Sequence, residues 1–383
     1  MNPLLFTPLA IRELTLKNRI VLSPMLTYCA TNGYVNERHI AHYAKYGVGG
    51  VGLVFVESTK IDPRGCSTPA DLGLWKDEFM PGMKKIVDIV KSYGSAIGIQ
   101  LGHSGRKARR NLPWEGRTPL NNFPGVDHGE PWELIGPSPI QHSPSYESPR
   151  EMTNDDIGEL MEAYAQGARR AHECGFDVLE IHGAHGYLLH QFLSPTANQR
   201  TDRYGGSFEN RMRFALEVVA SVKRFWPENK PLFLRISAID EVDWTIDHSV
   251  ELCKALKKAG VDVVDCSAGG ISDTIPMNNP VEYGYQVKFA DAVRNKSGIM
   301  SMAVGLIVHA DQAEAILQNG QADLVAIGRE MLLNPNWAID AALKLGVEHP
   351  YSQVPPVFAA YLESRSRRFK DLRHSTTQTG INA

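Results

Sequence analysis

The chain has little net charge, few cysteines and no long apolar run, and each shortage removes a class of function. Forty basic residues against forty-three acidic ones leave a formal charge of −3 over 383 residues. No whole-chain field therefore favours nucleic acid or an anionic membrane as partner, and a small-molecule ligand fits better. No segment reaches about 18 uninterrupted apolar residues, and the N-terminal "MNPLLFTPLAIRELTLKNR" lacks the cationic start and apolar core of a secretory leader. A soluble, cytoplasmic protein without membrane contact is the expectation. The five cysteines (Cys29, Cys66, Cys174, Cys253, Cys266) are scattered and form no C-x-x-C pair, which fits reduced thiols and excludes a cysteine-held cluster. Redox chemistry would need an added cofactor. A working dinucleotide fingerprint is missing too. "GVGGVG" at 47–52 fits G-x-G-x-x-G by letter, but that motif must follow a strand and open a helix. Here the helical pattern "HIAHYAKYG" precedes it and the strand-like "VGLVFVE" follows, which predicts a helix-to-strand turn.

What is present is a regular alternation. Eight short β-rich runs, at 19–25, 51–57, 96–102, 177–183, 232–237, 261–267, 299–305 and 323–328, are separated by helical patterns such as "IGELMEAYAQGARRAHECG" and "SVELCKALKKAG". Several of these end in a glycine suited to a helix C-cap. Near-continuous apolar strands between helices predict a parallel sheet covered on its faces, and eight units predict a closed α/β (β/α)₈ TIM barrel rather than an open doubly wound sheet. The barrel domain is placed at 1–345, with a lid-like insertion after the third strand at 107–150 and a C-terminal extension at 346–383. The insertion is rich in proline, glycine and serine, and its Trp114 and Trp132 favour a packed cover. The polar tail from Leu362 reads as a frayed terminus.

In such a barrel the active site is built at the carboxyl ends of the strands. That filter selects Ser23, Pro24, Met25 and Leu26 after the first strand, Glu57 and Ser58 after the second, and Gln100 and His103 at the third. It adds His182, His185 and Tyr187 after the fourth, Arg235 at the fifth, Val304 and Gly305 after the seventh, and Gly328 and Arg329 after the eighth. The glycine turns "AVGLI" and "AIGRE" with Arg329 suit a phosphate; the alternative is two plain turns with Arg329 paired to Glu330. Arg235, pointing into the barrel mouth, needs an anionic partner, either a ligand or a core carboxylate such as Asp240. In "EIHGAHGYLLHQFLSP" (180–195), His182 and His185 could be metal ligands or backbone-satisfied core residues. Two neutral imidazoles aimed at one point would instead stabilise an oxygen gaining negative charge, with Tyr187 beside them to supply a proton.

The strings "LFTPLAIRELTLKNRIVLSPM", "GIQLGHSGRKA", "GFDVLEIHGAHGYLLHQFLSPTANQRTDRYGGSFENR", "DVVDCSAGG" and "DLVAIGREMLLNP" resemble the old yellow enzyme family of FMN-dependent ene-reductases, in particular its bacterial thermophilic-like branch. The resemblance implies FMN as cofactor, with NADPH or NADH as hydride donor. It places the phosphate at Val304, Gly305, Gly328 and Arg329, Arg235 at the N1 and O2 edge, Gln100 at the pyrimidine ring, and Ser23, Pro24, Met25, Leu26 and Ser58 around the remaining ring edges. His182 and His185 would hold the carbonyl oxygen of an enone or enal, Tyr187 would protonate its α-carbon, and Tyr28 would line the pocket. A homodimer or dimer of dimers is implied as well, and a contribution of Arg367, Arg368 or Phe369 to a partner's site stays open. Asn198, Arg200, Asp202 and Arg211 are implied to be architectural. One departure stands out: branch members carry cysteine, and others threonine, where this chain has Leu26, which has no side-chain donor. Two other readings remain: the same flavin site acting as a desaturase or as a reductase of nitro compounds, nitrate esters or quinones, and a non-catalytic flavin redox sensor.

Overall fold

The computed structural model describes residues 3–120, 133–240, 242–272 and 282–369. Each apolar run becomes a strand: β1 (Ile20–Leu22), β2 (Leu53–Lys60), β3 (Ala96–Gly102), β4 (Val178–Gly183), β5 (Leu232–Ser237), β6 (Val263–Ser267), β7 (Met300–Ala303) and β8 (Leu324–Ile327). Neighbours in chain order pair in parallel and β8 pairs with β1, so the eight close into the expected (β/α)₈ barrel. Outside it lie α1 (Glu37–Val48), α2 (Met80–Ser92), α3 (Asn154–Glu173), α4 (Leu188–Leu193), α5 (Phe208–Val222), α6 (Ile246–Ala259), α7 (Val287–Ser297), α8 (Ala310–Gln318), α9 (Arg329–Leu333), α10 (Trp337–Lys344) and α11 (Pro356–Arg368). Their starts are set locally. Thr153 and Thr245 open α3 and α6 with capping boxes closed by Asp156 and His248. Gly260, at φ 98°, ends α6 in a conformation a side chain would resist. The "GVGGVG" segment runs from the end of α1 into β2, the helix-to-strand turn its surroundings predict.

Alternation along the strands sorts their residues into two cores. Val21, Leu53, Phe55, Val178, Phe233, Val263, Met302 and Leu324 point inward and form one cluster with Ile11 and Leu16, while Ile20, Val54, Val56, Leu179, Leu234 and Val264 join the core shared with the helices. Ile11 and Leu16 belong to a short hairpin pairing Leu9–Ile11 with Leu14–Leu16. It packs with Ala96 and Met300, the first residues of β3 and β7, and so plugs the end where strands begin. The opposite, carboxyl end is left for a site.

The β2–β3 register shifts between Val56 and Ser58, which inserts Glu57 as a bulge. Val56 and Glu57 both turn outward as a result, and Ser58 again faces the barrel mouth beside Gln100.

The periphery departs from expectation in two ways. The tail is helical through Arg368 in α11, where a frayed end is predicted from Leu362; 370–383 lie outside the described residues. In the insertion, Trp114 is 68% exposed, so it does not anchor a packed cover, and Trp132 lies outside the described residues. The segment is held instead by the Arg109–Glu147 ion pair and by Arg110, stacked 3.8 Å from the centre of the Tyr146 ring.

Candidate active site at the carboxyl end of the barrel

A cavity of about 540 Å³ opens over the strand ends, within the range of small-molecule and cofactor pockets. Ser23, Pro24, Met25, Leu26, Tyr28, Ser58, Gln100, His182, His185, Tyr187, Arg235, Val304, Gly305, Gly328 and Arg329 all line it. Two residues selected by the strand-end filter do not. Glu57 is turned outward by the bulge, and His103 folds its ring back to accept from Gly105 N at 3.0 Å, bracing the turn after β3.

The inward alternation of β4 puts His182 at the mouth, where it is 3% exposed. His185 follows with φ 58°, a left-handed conformation uncommon for a side-chain-bearing residue. Its backbone N–H donates to Ser237 Oγ at 2.9 Å and its Nε2 lies 2.6 Å from Ser267 Oγ. The two imidazole centroids are 5.3 Å apart, and Tyr187 stands edge-on to His182 at 5.0 Å. Burial holds both imidazoles well below the usual histidine range, helped by His185 and Arg235 for His182 and by Arg235 and Lys107 for His185. Both rings are therefore neutral at pH 7, each with one N–H to offer. Burial first, and the Asp71 carboxylate second, push the Tyr187 phenol up to about 12.

Beneath the cavity lies a polar layer. Arg235 Nη1 donates to Ser23 Oγ at 3.2 Å, and Nε lies 3.1 Å from Asp265. Its core partner is thus Asp265, the inward neighbour on β6, and not Asp240, which is taken up by Ser194 and by the backbone of Val242, Asp243 and Trp244. Gln100 Nε2 donates to Glu180 Oε1 at 2.7 Å. Burial and the nearby Asp265 raise the Glu180 carboxyl to about 8, against the pull of Arg235. Asp265 and Ser267 escaped the sequence reading, although the inward phase of "VDVVDCS" marks both.

The first strand's extension is fixed from behind. Thr27 donates from both its backbone N–H and its hydroxyl to Glu57, the hydroxyl at 2.6 Å. Cys29 Sγ lies 3.3 Å from His39 Nε2. Thr27 and Cys29 therefore face away, while Leu26 and Tyr28, the latter at φ 51°, face the cavity.

These residues fit a planar, anionic cofactor. The Gly305 turn, at φ 114°, leaves only 3.1 Å between a built Cβ and the Gln286 side chain, so a bare backbone is required at one rim. Arg329 at the other rim makes no ion pair among the described residues, and a buried guanidinium sits at the floor. Fold and site together define a barrel oxidoreductase that works through a bound cofactor. The sequence model of the NADH:flavin oxidoreductase / NADH oxidase family matches residues 4–347, and the chain belongs to that family, the old yellow enzyme family. Its cofactor is FMN and its hydride donor a nicotinamide dinucleotide. The chain is 46% identical over 352 residues to an NADPH dehydrogenase of Geobacillus thermodenitrificans, covering 91% of this chain and 96% of the relative. It is 43% identical to one of Bacillus subtilis, covering 90% and 96%. Among solved structures it resembles morphinone reductase in complex with tetrahydroNAD, with TM-score 0.74 and 27% identity over 90% of this chain and 92% of that one. No helix among the described residues is long and apolar enough to cross a membrane.

Proposed function

We propose that the protein reduces the activated C=C bond of α,β-unsaturated carbonyl compounds, with NADPH as hydride donor. The observation that carries this reading is the convergence of two neutral imidazoles and one phenol on a single cavity. His182 and His185 donate to the substrate carbonyl oxygen and stabilise the negative charge that grows there. Tyr187, protonated across the physiological range, gives its proton to the α-carbon. Bound FMN supplies the hydride. Gly305, Gly328 and Arg329 hold its phosphate, Arg235 with Ser23 meets the ring edge that becomes electron-rich, and Gln100 takes the pyrimidine side. The names of the Geobacillus and Bacillus relatives favour NADPH over NADH.

An anaerobic titration tests the reading: NADPH is expected to bleach the yellow band of the holoprotein and 2-cyclohexenone to restore it. Tyr187→Phe should lower enone turnover roughly 100-fold or more, while quinone and nitro reduction, which need the histidine grip but no carbon protonation, should persist. Unchanged enone turnover would remove Tyr187 from its role.

A further inference from the structure

β2 ends in Lys60, whose side chain has no exposed surface. A buried ammonium is costly unless its partners are specific. Here Nζ donates to Ser58 Oγ at 3.0 Å, lies 3.5 Å from Oδ2 of the equally buried Asp71, and stands 5.0 Å from the centre of the Tyr187 ring. The same Asp71 oxygen accepts from Ser67 Oγ at 2.6 Å and Ser67 N at 2.7 Å, and the other from Thr68 Oγ1 at 2.7 Å. The Ser67 hydroxyl also draws the Tyr187 phenol downward, against burial and Asp71. Lys60, Asp71 and Ser67 therefore form one buried polar cluster beside Tyr187, with the ammonium close to the ring.

Anchoring of the loop after β2 does not account for this. Backbone bonds from Lys60 N to Leu72 O and from Leu74 N to Lys60 O already tie that loop to the strand. The other charged or titratable groups around Tyr187 have settled positions. Lys107, whose ammonium stands 5.8 Å from the same ring, is held by His185 O and Gly270 O, His182 is neutral, and Arg117 favours the phenolate while Tyr146 opposes it.

We propose that Lys60 is a positioning residue for proton delivery by Tyr187, offsetting the Asp71 carboxylate and, with the Ser67 hydroxyl, stabilising the phenolate left when the phenol gives its proton to substrate. The proposal rests on Tyr187 being the proton donor. In that step the Tyr187 O–H bond breaks as the electron pair of the substrate enolate forms the C–H bond at the α-carbon, and the negative charge passes to the phenolate. The Ser67 hydroxyl turns from Asp71 to the phenolate oxygen, Lys60 balances the two anions, and water returns the proton after product leaves. Because burial places the phenol near 12, the phenolate is unfavourable without such support.

The test is stopped-flow reoxidation of NADPH-reduced holoenzyme by 2-cyclohexenone and, separately, by a quinone such as menadione. Lys60→Met is expected to slow the enone reaction roughly tenfold or more, to enlarge its solvent deuterium isotope effect, and to leave the quinone reaction unchanged. Lys60→Arg should recover most of the enone rate. Ser67→Ala, which keeps the buried ion pair, should slow the enone reaction alone and decides the matter if Lys60→Met fails to hold FMN. Enone rates and isotope effects at the wild-type level in Lys60→Met and Ser67→Ala, or equal loss toward enone and quinone, would overturn the proposal while leaving Tyr187 in place. A wild-type enone rate in Tyr187→Phe would show instead that the underlying reading is wrong.

Discussion

At the scale of single residues, Leu26 distinguishes this site. It lines the cavity where a thiol or hydroxyl is expected from the family resemblance, and its neighbours cannot substitute for it. The Thr27 hydroxyl is bound to Glu57 and the Cys29 thiol lies against Thr27 and His39. A donor toward the cofactor's O4 edge favours the electron-rich form of the ring, so its loss lowers the potential. Leu26→Cys is therefore expected to raise the midpoint potential, measured by anaerobic dye equilibration, and to speed bleaching by NADPH. An unchanged potential would show that the side chain at this position does not act on the ring. Gln100, His182 and Arg235 were legible as cavity-lining residues because inward phase on a barrel strand is a period of two and survives in the letters. What the letters did not fix was each side chain's partner: Arg235 pairs with Asp265, thirty residues farther along the chain, because β5 and β6 are neighbours in register.

At the scale of elements, the bulge in β2 shows where periodicity stops. The eight strands and their helices were visible as apolar runs and capped stripes, but one inserted residue reverses the phase of Glu57 and leaves no mark in composition. The hairpin that plugs the barrel escaped because three-residue strands are too short to show alternation. α11 escaped because none of its residues is fully buried and its apolar positions, Val357, Phe358, Tyr361 and Leu362, fill only its first half before a charged run. The outward Glu57 has a measurable consequence. Burial raises its carboxyl from 4.5 to about 7, against the bonds from Thr27, so between those pH values the folded chain holds a proton that the unfolded chain has released. Stability from this group is present below that window and falls as pH rises through it, by roughly 3 kcal/mol at most. Urea melts of wild type and Glu57→Gln at pH 5 and pH 7.5 should therefore show wild type losing ground to the variant at the higher pH. An equal gap at both would exclude titration in this range.

At the scale of the whole molecule, the hairpin closes one end of the barrel and the cavity occupies the other, which leaves the flank as the surface open to a partner. One flank is unusually apolar. Leu333 is 81% exposed, Tyr361 76%, Val357 57% and Phe358 46%. Phe358 and Tyr361 line a depression of about 640 Å³ with Ile339 and Leu343, and Leu333, three residues before Asn336 on the same rim, also borders the active-site cavity. Exposed apolar surface that clusters in this way marks an association face, and in a homo-oligomer the simplest closure is a two-fold pair. Light scattering is expected to give twice the 42.4 kDa chain mass, and Phe358→Asp with Tyr361→Asp to give the single-chain mass with FMN retained, since neither residue borders the cofactor cavity. A wild-type protein that elutes as a single chain would leave this flank without a role in assembly, and a double variant that stays paired would move the interface to another face of the barrel.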